Sequence, residues 1–298
     1  MEQPLVSIVV VSYNQGKYIK ENLDSVKAQT YTNWELIVAD DASNDDSVAE
    51  FKNWLTSNSV PGKEIFHTKN TGLATVLNEA IDLCSGKYVK LIAADDFMHP
   101  ECLEKSVKCL EDKGENYGMV FTDTFCVDDN SNSLPDIANY DKLGNIPPKE
   151  FRRELLKGNR IAALTVLLRK KAVLETGQYD SKFLVEDYYR WLKINEKYLI
   201  AYLPEKLSYY RLHAENISKT KAERIEIETY ILQIMFDHKG IVKDKINNFM
   251  QSRYLLKKEI PKDLLSSFLK YPFGMKRLKP FIKYNLPQFA YHILCKFI

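Results

Sequence analysis

Residues 6–47 read VSIVVVSYNQGKYIKENLDSVKAQTYTNWELIVADDASNDDS, and this stretch decides the fold. Val6 to Val11 is a continuous run rich in β-branched residues, the pattern of a strand covered on both faces in a parallel sheet. After the polar turn Asn14 to Gly16, the apolar residues Ile19, Leu23 and Val26 recur at helical spacing. Trp34 to Ala39 then reads as a second strand. Strand, helix and strand in this order form a right-handed crossover unit.

The alternation continues outward. Ser43 or Asn44 can cap a helix carrying Val48, Phe51 and Leu55, and Glu64 to His67 follow as a short strand. Leu73, Val76, Leu77, Ala80 and Ile81 form a helical apolar stripe that Gly86 can end, before Tyr88 to Ala93 return as a strand. Such a pattern predicts an α/β fold with a doubly wound, mostly parallel sheet flanked by helices. Asp128 to Pro148 reads as a long polar loop. Ala162 to Leu168 is strand-like, Glu186 to Lys193 helical, and 200–202 and 207–210 read as a strand pair. Beyond His213 the pattern is mainly helical.

The bulk numbers exclude several classes. The chain has 298 residues, 45% of them hydrophobic and 28% charged, as expected of an ordered globular protein. Its 42 basic and 40 acidic side chains nearly cancel, leaving a net charge of +2, which disfavours a dedicated nucleic-acid binder. Cys84, Cys102, Cys109, Cys126 and Cys295 show no zinc-ligand spacing and read as reduced, mostly buried thiols. The N-terminus has neither the basic region nor the cleavage site of a signal peptide, so a cytoplasmic location is expected.

Ligands of doubly wound sheets bind beyond the C-terminal ends of the strands. Here those ends carry Ser12-Tyr13-Asn14, Asp40-Asp41 and Asp95-Asp96. An acidic pair at a strand end can hold a hard divalent cation that bridges a diphosphate, although Asp95-Asp96 also suits the cap of a following helix. Asp40-Asp41 is likewise a good turn sequence. A carboxylate at Asp41 can instead accept the imide N–H of uracil.

Over residues 5 to about 218 the chain resembles the family 2 glycosyltransferases, inverting enzymes of polysaccharide synthesis with a GT-A fold. The Ser-Tyr-Asn turn, the Gln29-Thr30 pair and the Asp-Asp-x-Ser-x-Asp turn match in order. The resemblance implies that Val11, Tyr13 and Asp41 surround the nucleotide base, with Asn70, Gly72 and Asn78 beneath the diphosphate and ribose. Leu77 stands where the family often has Arg. Leu91 to Phe97 resembles the metal motif, with Ala93 replacing its first acid. It implies Asp95 in the ribose or metal shell, Asp96 as direct ligand, and Mn²⁺ or Mg²⁺ as cofactor. Leu184 to Lys193 resembles the helix start that carries the catalytic base, here Asp187. Arg211 and His213 match a loop that folds over the diphosphate and metal, with Arg211 on the donor and His213 a metal or phosphate ligand.

These matches imply a catalytic domain over 1–218, with the nucleotide-sugar part over 1–127 and the acceptor side over 128–218, followed by a helical region over 219–298. The expected partners are a nucleotide sugar, with UDP preferred, and a glycan or lipid-linked acceptor; self-association is open. A catalytically silent subunit with the same fold is the alternative reading. A nucleotidyltransferase would need a Gly-rich phosphate loop with Arg near the N-terminus, and Val6 to Gly16 offers only Gly16. After Asp263 no acidic residue remains, while Lys270, Lys276, Arg277, Lys279, Lys283 and Lys296 alternate with aromatic and aliphatic residues. Residues 264–298 therefore suit the inner face of an anionic membrane, or packing against protein.

Overall fold

The computed structural model describes residues 3–136 and 141–296. Phe297, the side chains of Cys295 and Lys296, and the 137–140 part of the polar loop lie outside this description.

The first half follows the expected alternation: β1 (Val6–Ser12), α1 (Gly16–Lys27), β2 (Trp34–Asp40), α2 (Ser47–Asn58), β3 (Gly62–Phe66), α3 (Leu73–Leu83), β4 (Tyr88–Ala93), β5 (Phe97–Met98) and α4 (Cys102–Lys113). Then come β6 (Tyr117–Val127), β7 (Ser133–Leu134), α5 (Asp141–Gly144), α6 (Phe151–Leu155), β8 (Val166–Arg169), α7 (Lys170–Glu175), α8 (Glu186–Lys197) and β9 (Leu199–Arg211). The helices α9 (Ile217–Thr220), α10 (Ala222–Phe236), α11 (Lys243–Leu255), α12 (Lys262–Lys270), α13 (Leu278–Lys283) and α14 (Gln288–Lys296) complete the order.

Among the described residues one nine-stranded sheet runs β3-β2-β1-β4-β8-β6-β9-β5, with β7 beside β6. The four strands β3, β2, β1 and β4 are mutually parallel, whereas β8 pairs antiparallel with both β4 and β6. Ile8, Val10, Leu36 and Val38 pack with Ile19, Leu23 and Val26 of α1 and Phe51 of α2 in one buried cluster, which is why the β-branched runs occupy central strands.

Several local expectations change. Neither Ser43 nor Asn44 caps α2: Ser43 bonds Asp40 instead, and the helix begins at Ser47 behind Asp46. The stretch 162–168 is a 3₁₀ turn, Ala163–Thr165, followed by β8. The expected strand pair 200–202 and 207–210 is one strand, β9. Its pairing with β6 steps from Thr122↔Leu203 to Asp123↔Lys206, so Pro204 and Glu205 bulge out. That bulge tolerates a proline, which has no N–H for the ladder. The polar loop holds β7 and α5 instead of lacking structure.

The chain divides into two compact units, residues 1–152 with 160–220, and residues 153–159 with 221–298. In the second, Leu264, Phe268, Tyr271, Leu278, Ile282 and Tyr291 are buried, so much of the C-terminal apolar pattern is core. No helix among the described residues is long and apolar enough to cross a membrane.

Candidate active site

Parallel register brings the expected strand ends together. Val11 lies opposite Ala39 on one side and Ala93 on the other. Past the strands the backbone continues the pattern: Ala94 N–H donates to Val11 O at 2.8 Å and Asp41 N–H to Ser12 O at 3.1 Å. Tyr13 projects here, 48% exposed, as a ring free to meet a ligand.

Two turns lock to each other beside it. Asn14 N–H donates to Ser43 Oγ and Asn44 N–H to Asn14 Oδ1, each at 2.8 Å. Asn14 and Ala42 both have positive φ, 55° and 64°. Asn tolerates that region, whereas alanine is strained in it.

Asp40 and Asp41 do different work. Asp40 is fully buried and accepts Ser43 N–H, closing its own turn. Asp41 faces the loop after β3. Its Oδ1 accepts Thr71 N–H at 2.8 Å and Thr71 Oγ1–H at 3.0 Å, and its Oδ2 accepts Gly72 N–H at 2.7 Å. Burial pulls the carboxyl upward, but the bonds from Thr71, His67 and Gly72 outweigh it and hold Asp41 below its usual value. Gly72 has φ 89°, where a side chain would be strained. Asn70 Nδ2 donates to Asp41 O at 3.3 Å, so Asn70 and Gly72 belong to the Asp41 loop.

The Asn78 side chain is engaged within the protein. Its Nδ2 donates to Tyr179 O at 3.0 Å and its Oδ1 accepts Tyr179 N–H at 2.8 Å. The amide is spent on bracketing a segment 101 residues away. That segment steers α8: the Arg190 guanidinium lies 4.1 Å from the Tyr179 ring centroid and donates to Gly177 O at 2.6 Å. Burial pushes the Tyr179 phenol up to about 12, with Arg190 opposing and Glu186 adding to the shift. Glu186 and Asp187 fill the first turn of α8, where the helix dipole favours carboxylates.

Asp95 and Asp96, both buried, also diverge. Asp95 Oδ2 lies 3.0 Å from His213 Nε2, a contact across 118 residues. Asp96 Oδ1 instead accepts Arg211 N–H at 2.9 Å. Burial pushes the Asp96 carboxyl well above its usual range and the adjacent Asp95 adds to this. A carboxyl in that setting anchors the end of β9, while Asp95 and His213 are the pair presented together.

Arg211 is not free for the donor, contrary to the sequence expectation. It is 1% exposed; Nε donates to Asp95 O, Nη1 to Asp128 O, Asp129 O and Ser131 Oγ, and Nη2 to Glu21. Its planar fork ties the start of the polar loop to α1 and the acidic motif.

Among the described residues no three His, Cys, Asp or Glu side chains gather as a metal site. Asp95 and His213 do offer an oxygen and an imidazole nitrogen of the kind that Mn²⁺ accepts, with the remaining positions suited to phosphate oxygens and water. Sequence reasoning passed over His67 and Glu21. His67 follows β3, a parallel strand end without an acidic pair, and Glu21 carries no motif.

The sequence model of Glycosyl transferase family 2 matches residues 7–177. The chain belongs to this family. An uncharacterized glycosyltransferase of Haemophilus influenzae is 29% identical over 96% of this family 2 chain and 93% of its own length. The putative teichuronic acid biosynthesis glycosyltransferase TuaG of Bacillus subtilis is 28% identical, covering 74% and 83%. Chondroitin synthase of Escherichia coli is also 28% identical over 88% of this chain, which spans only 37% of that enzyme. In fold the family 2 chain is similar to S. aureus TarS 1–349, solved with UDP-GlcNAc, at a TM-score of 0.68 with 17% identity, covering 94% and 86%. The mannosyltransferase PcManGT of Pyrobaculum calidifontis, solved with GDP-Man and Mn²⁺, gives 0.63 with 17% identity, covering 90% and 74%. The fold is GT-A and the protein is a glycosyltransferase.

Proposed function

We propose that the chain is an inverting transferase that moves a sugar from a UDP-sugar to a hydroxyl of a glycan or lipid-linked acceptor in cell-surface polysaccharide synthesis. The observation that carries this reading is the Asp95–His213 pair at the end of β4, two strands from Asp41 across the Val11 strand end. The UDP-GlcNAc of TarS and the polymer-linked names of TuaG and chondroitin synthase support it.

Val11, Tyr13 and Asp41 take the base, with uracil N–H reaching Asp41 Oδ2. Asn70 and Gly72 shape the loop that holds Asp41. Asp95 and His213 would hold a divalent ion, and Asp96 positions them through Arg211. Bound there, the ion supplies Lewis-acid neutralisation of the leaving group. Asp187 accepts the proton of the acceptor hydroxyl as its oxygen bonds the anomeric carbon. The bond from that carbon to the diphosphate oxygen breaks on the opposite face, its electron pair leaving with the nucleotide.

The acceptor is met at an anionic lipid surface through the second unit. Tyr254 Oη donates to Leu286 O at 2.8 Å and Gln288 Nε2 to Leu255 O at 3.0 Å, which sets residues 256–258 beside 284–289. Leu256, Tyr284, Leu286 and Phe289 are all exposed there, alongside exposed Lys257, Lys258 and Lys283 and a single carboxylate, Glu259. Apolar residues ringed by lysine match the interface of an anionic bilayer.

Calorimetric titration with UDP, with and without Mn²⁺, followed by nucleotide-release assays on UDP-, GDP- and dTDP-sugars, tests the reading. Metal-dependent UDP binding supports it; silence with all three nucleotides overturns it in favour of a non-catalytic subunit. Flotation with phosphatidylglycerol vesicles tests the surface. Binding lost in K257E/K258E/K283E supports it, and sedimentation as a dimer without flotation overturns it.

A further inference from the structure

His67, immediately after β3, sits between two carboxylates from different elements. Its Nδ1 lies 2.9 Å from Asp41 Oδ1, and its Nε2 lies 2.9 Å from Glu79 Oε2 on α3. Thr71 Oγ1 approaches Nδ1 at 3.0 Å, and His67 N–H donates to Asp40 O at 2.9 Å. The ring is thus faced by Asp41 from the end of β2, Glu79 from α3 and the Thr71 hydroxyl. The side chain is 14% exposed, whereas Glu79 is half exposed.

The number of N–H groups decides what this arrangement requires. A neutral imidazole has one, so one carboxylate receives it and the other meets a ring lone pair. An imidazolium has two and satisfies both. Burial disfavours the charged ring, but Asp41 and Glu79 favour it more strongly, and the net shift is upward from the ordinary histidine value.

We propose that His67 is a positioning residue for donor recognition: as an imidazolium it cross-links the base-reading Asp41 to α3, and its deprotonation loosens residues 67–72 and weakens nucleotide binding. The inference rests on the reading of Asp41 as the uracil contact. His67 itself touches no part of the nucleotide. Its effect falls on the order of the Asp41 carboxylate and of the Gly72 turn that bonds it.

The test is calorimetry of the full chain with UDP and Mn²⁺ between pH 5.5 and 8.5, together with NMR titration of the His67 ring. In the wild type the dissociation constant rises with pH, following the His67 midpoint. In Glu79→Gln the ring loses one anionic partner, so both midpoints move to lower pH. In His67→Gln binding is about three- to tenfold weaker at pH 6, the worth of one hydrogen bond, and that step in pH disappears. The Glu79 change leaves the contacts of His213 intact, so a shifted midpoint reports His67. Matching profiles for wild type and Glu79→Gln overturn the proposal. If His67→Gln fails to fold, the half-exposed Glu79 variant and the NMR midpoint still decide. Asp41→Asn separates the two layers: unchanged UDP affinity in that variant sinks the donor-site reading itself, whereas weakened affinity with unshifted Glu79→Gln midpoints sinks the role of His67 alone.

Discussion

Asn78 and Tyr179 hold each other through two reciprocal hydrogen bonds, 3.0 and 2.8 Å long, that join α3 to the segment leading into α8. Asn78 therefore acts on the helix that carries Asp187. Replacing Asn78 by Ala removes both bonds, a loss of about 1–3 kcal/mol in stability. Turnover should fall by more than UDP affinity does. Thermal melts, kcat and calorimetry on one preparation check this, and an equal loss in affinity and turnover would contradict it.

Asp187→Asn keeps the shape of the first turn of α8 but cannot take a proton. Turnover should drop by about 10²–10⁴-fold while UDP binds nearly as before. Near-normal turnover would remove Asp187 from the mechanism. Asp95→Ala is the complementary change, abolishing the Mn²⁺ response of UDP binding and leaving the metal-free affinity in place.

Ala42 adopts φ 64° between Asp41 and Ser43. Glycine at that position should stabilise the protein by about 1 kcal/mol, because the strain of a Cβ in the left-handed region is relieved. Differential scanning calorimetry would read this as a rise in Tm of about 2–4 °C. A lower Tm would mean that the alanine side chain contributes more than its backbone costs.

Arg211→Lys retains the charge and loses the fork. Because the guanidinium is buried and serves Glu21, Ser131 and three carbonyls, about 3 kcal/mol should be lost. Faster hydrogen exchange at residues 128–131 and 211–213 is the local signature. Unchanged exchange there would show that the loop is held by other contacts.

Glu35 accepts bonds from Lys63, Ser7 and the Ser85 N–H. Burial pulls its carboxyl up, but these bonds win and set it at about 2. A carboxyl below its unfolded value adds stability that is complete above about pH 4.5 and is lost as the pH falls toward 2. Glu35→Gln should lower stability at pH 7 and flatten the acid limb of the urea midpoint. Parallel acid limbs in wild type and variant would rule this out.

The local pattern of residues 6–93 made the parallel strands and their helices legible, since Val6–Val11 and Trp34–Ala39 carry their burial in their composition. Strand ends followed from topology, which located Val11, Asp41 and Asp95. What stayed hidden depends on partners far away in the chain. Asn78 reads the same whether it meets a ribose or Tyr179, and Arg211 gives no sign that Glu21 and the 128–131 backbone occupy its guanidinium. β9 was read as two strands because Pro204 interrupts the ladder chemistry, although the sheet absorbs it as a bulge. The exchange of duties within Asp95-Asp96 turns on which carboxyl meets His213 and which meets the Arg211 N–H, and adjacent letters do not encode that.

Strand β9 starts two residues after the helix of Asp187 and ends two residues before His213. Thirteen extended residues span roughly 40 Å, so the helix carrying Asp187, the proposed base, and His213, the proposed metal ligand, are joined by one strand anchored in the sheet. The bulge at Pro204–Glu205 is one of three register shifts in its pairing with β6. Lengthening or shortening the chain there would reset the spacing between Asp187 and His213 while leaving strands β1 to β4 and the Asp41 loop untouched.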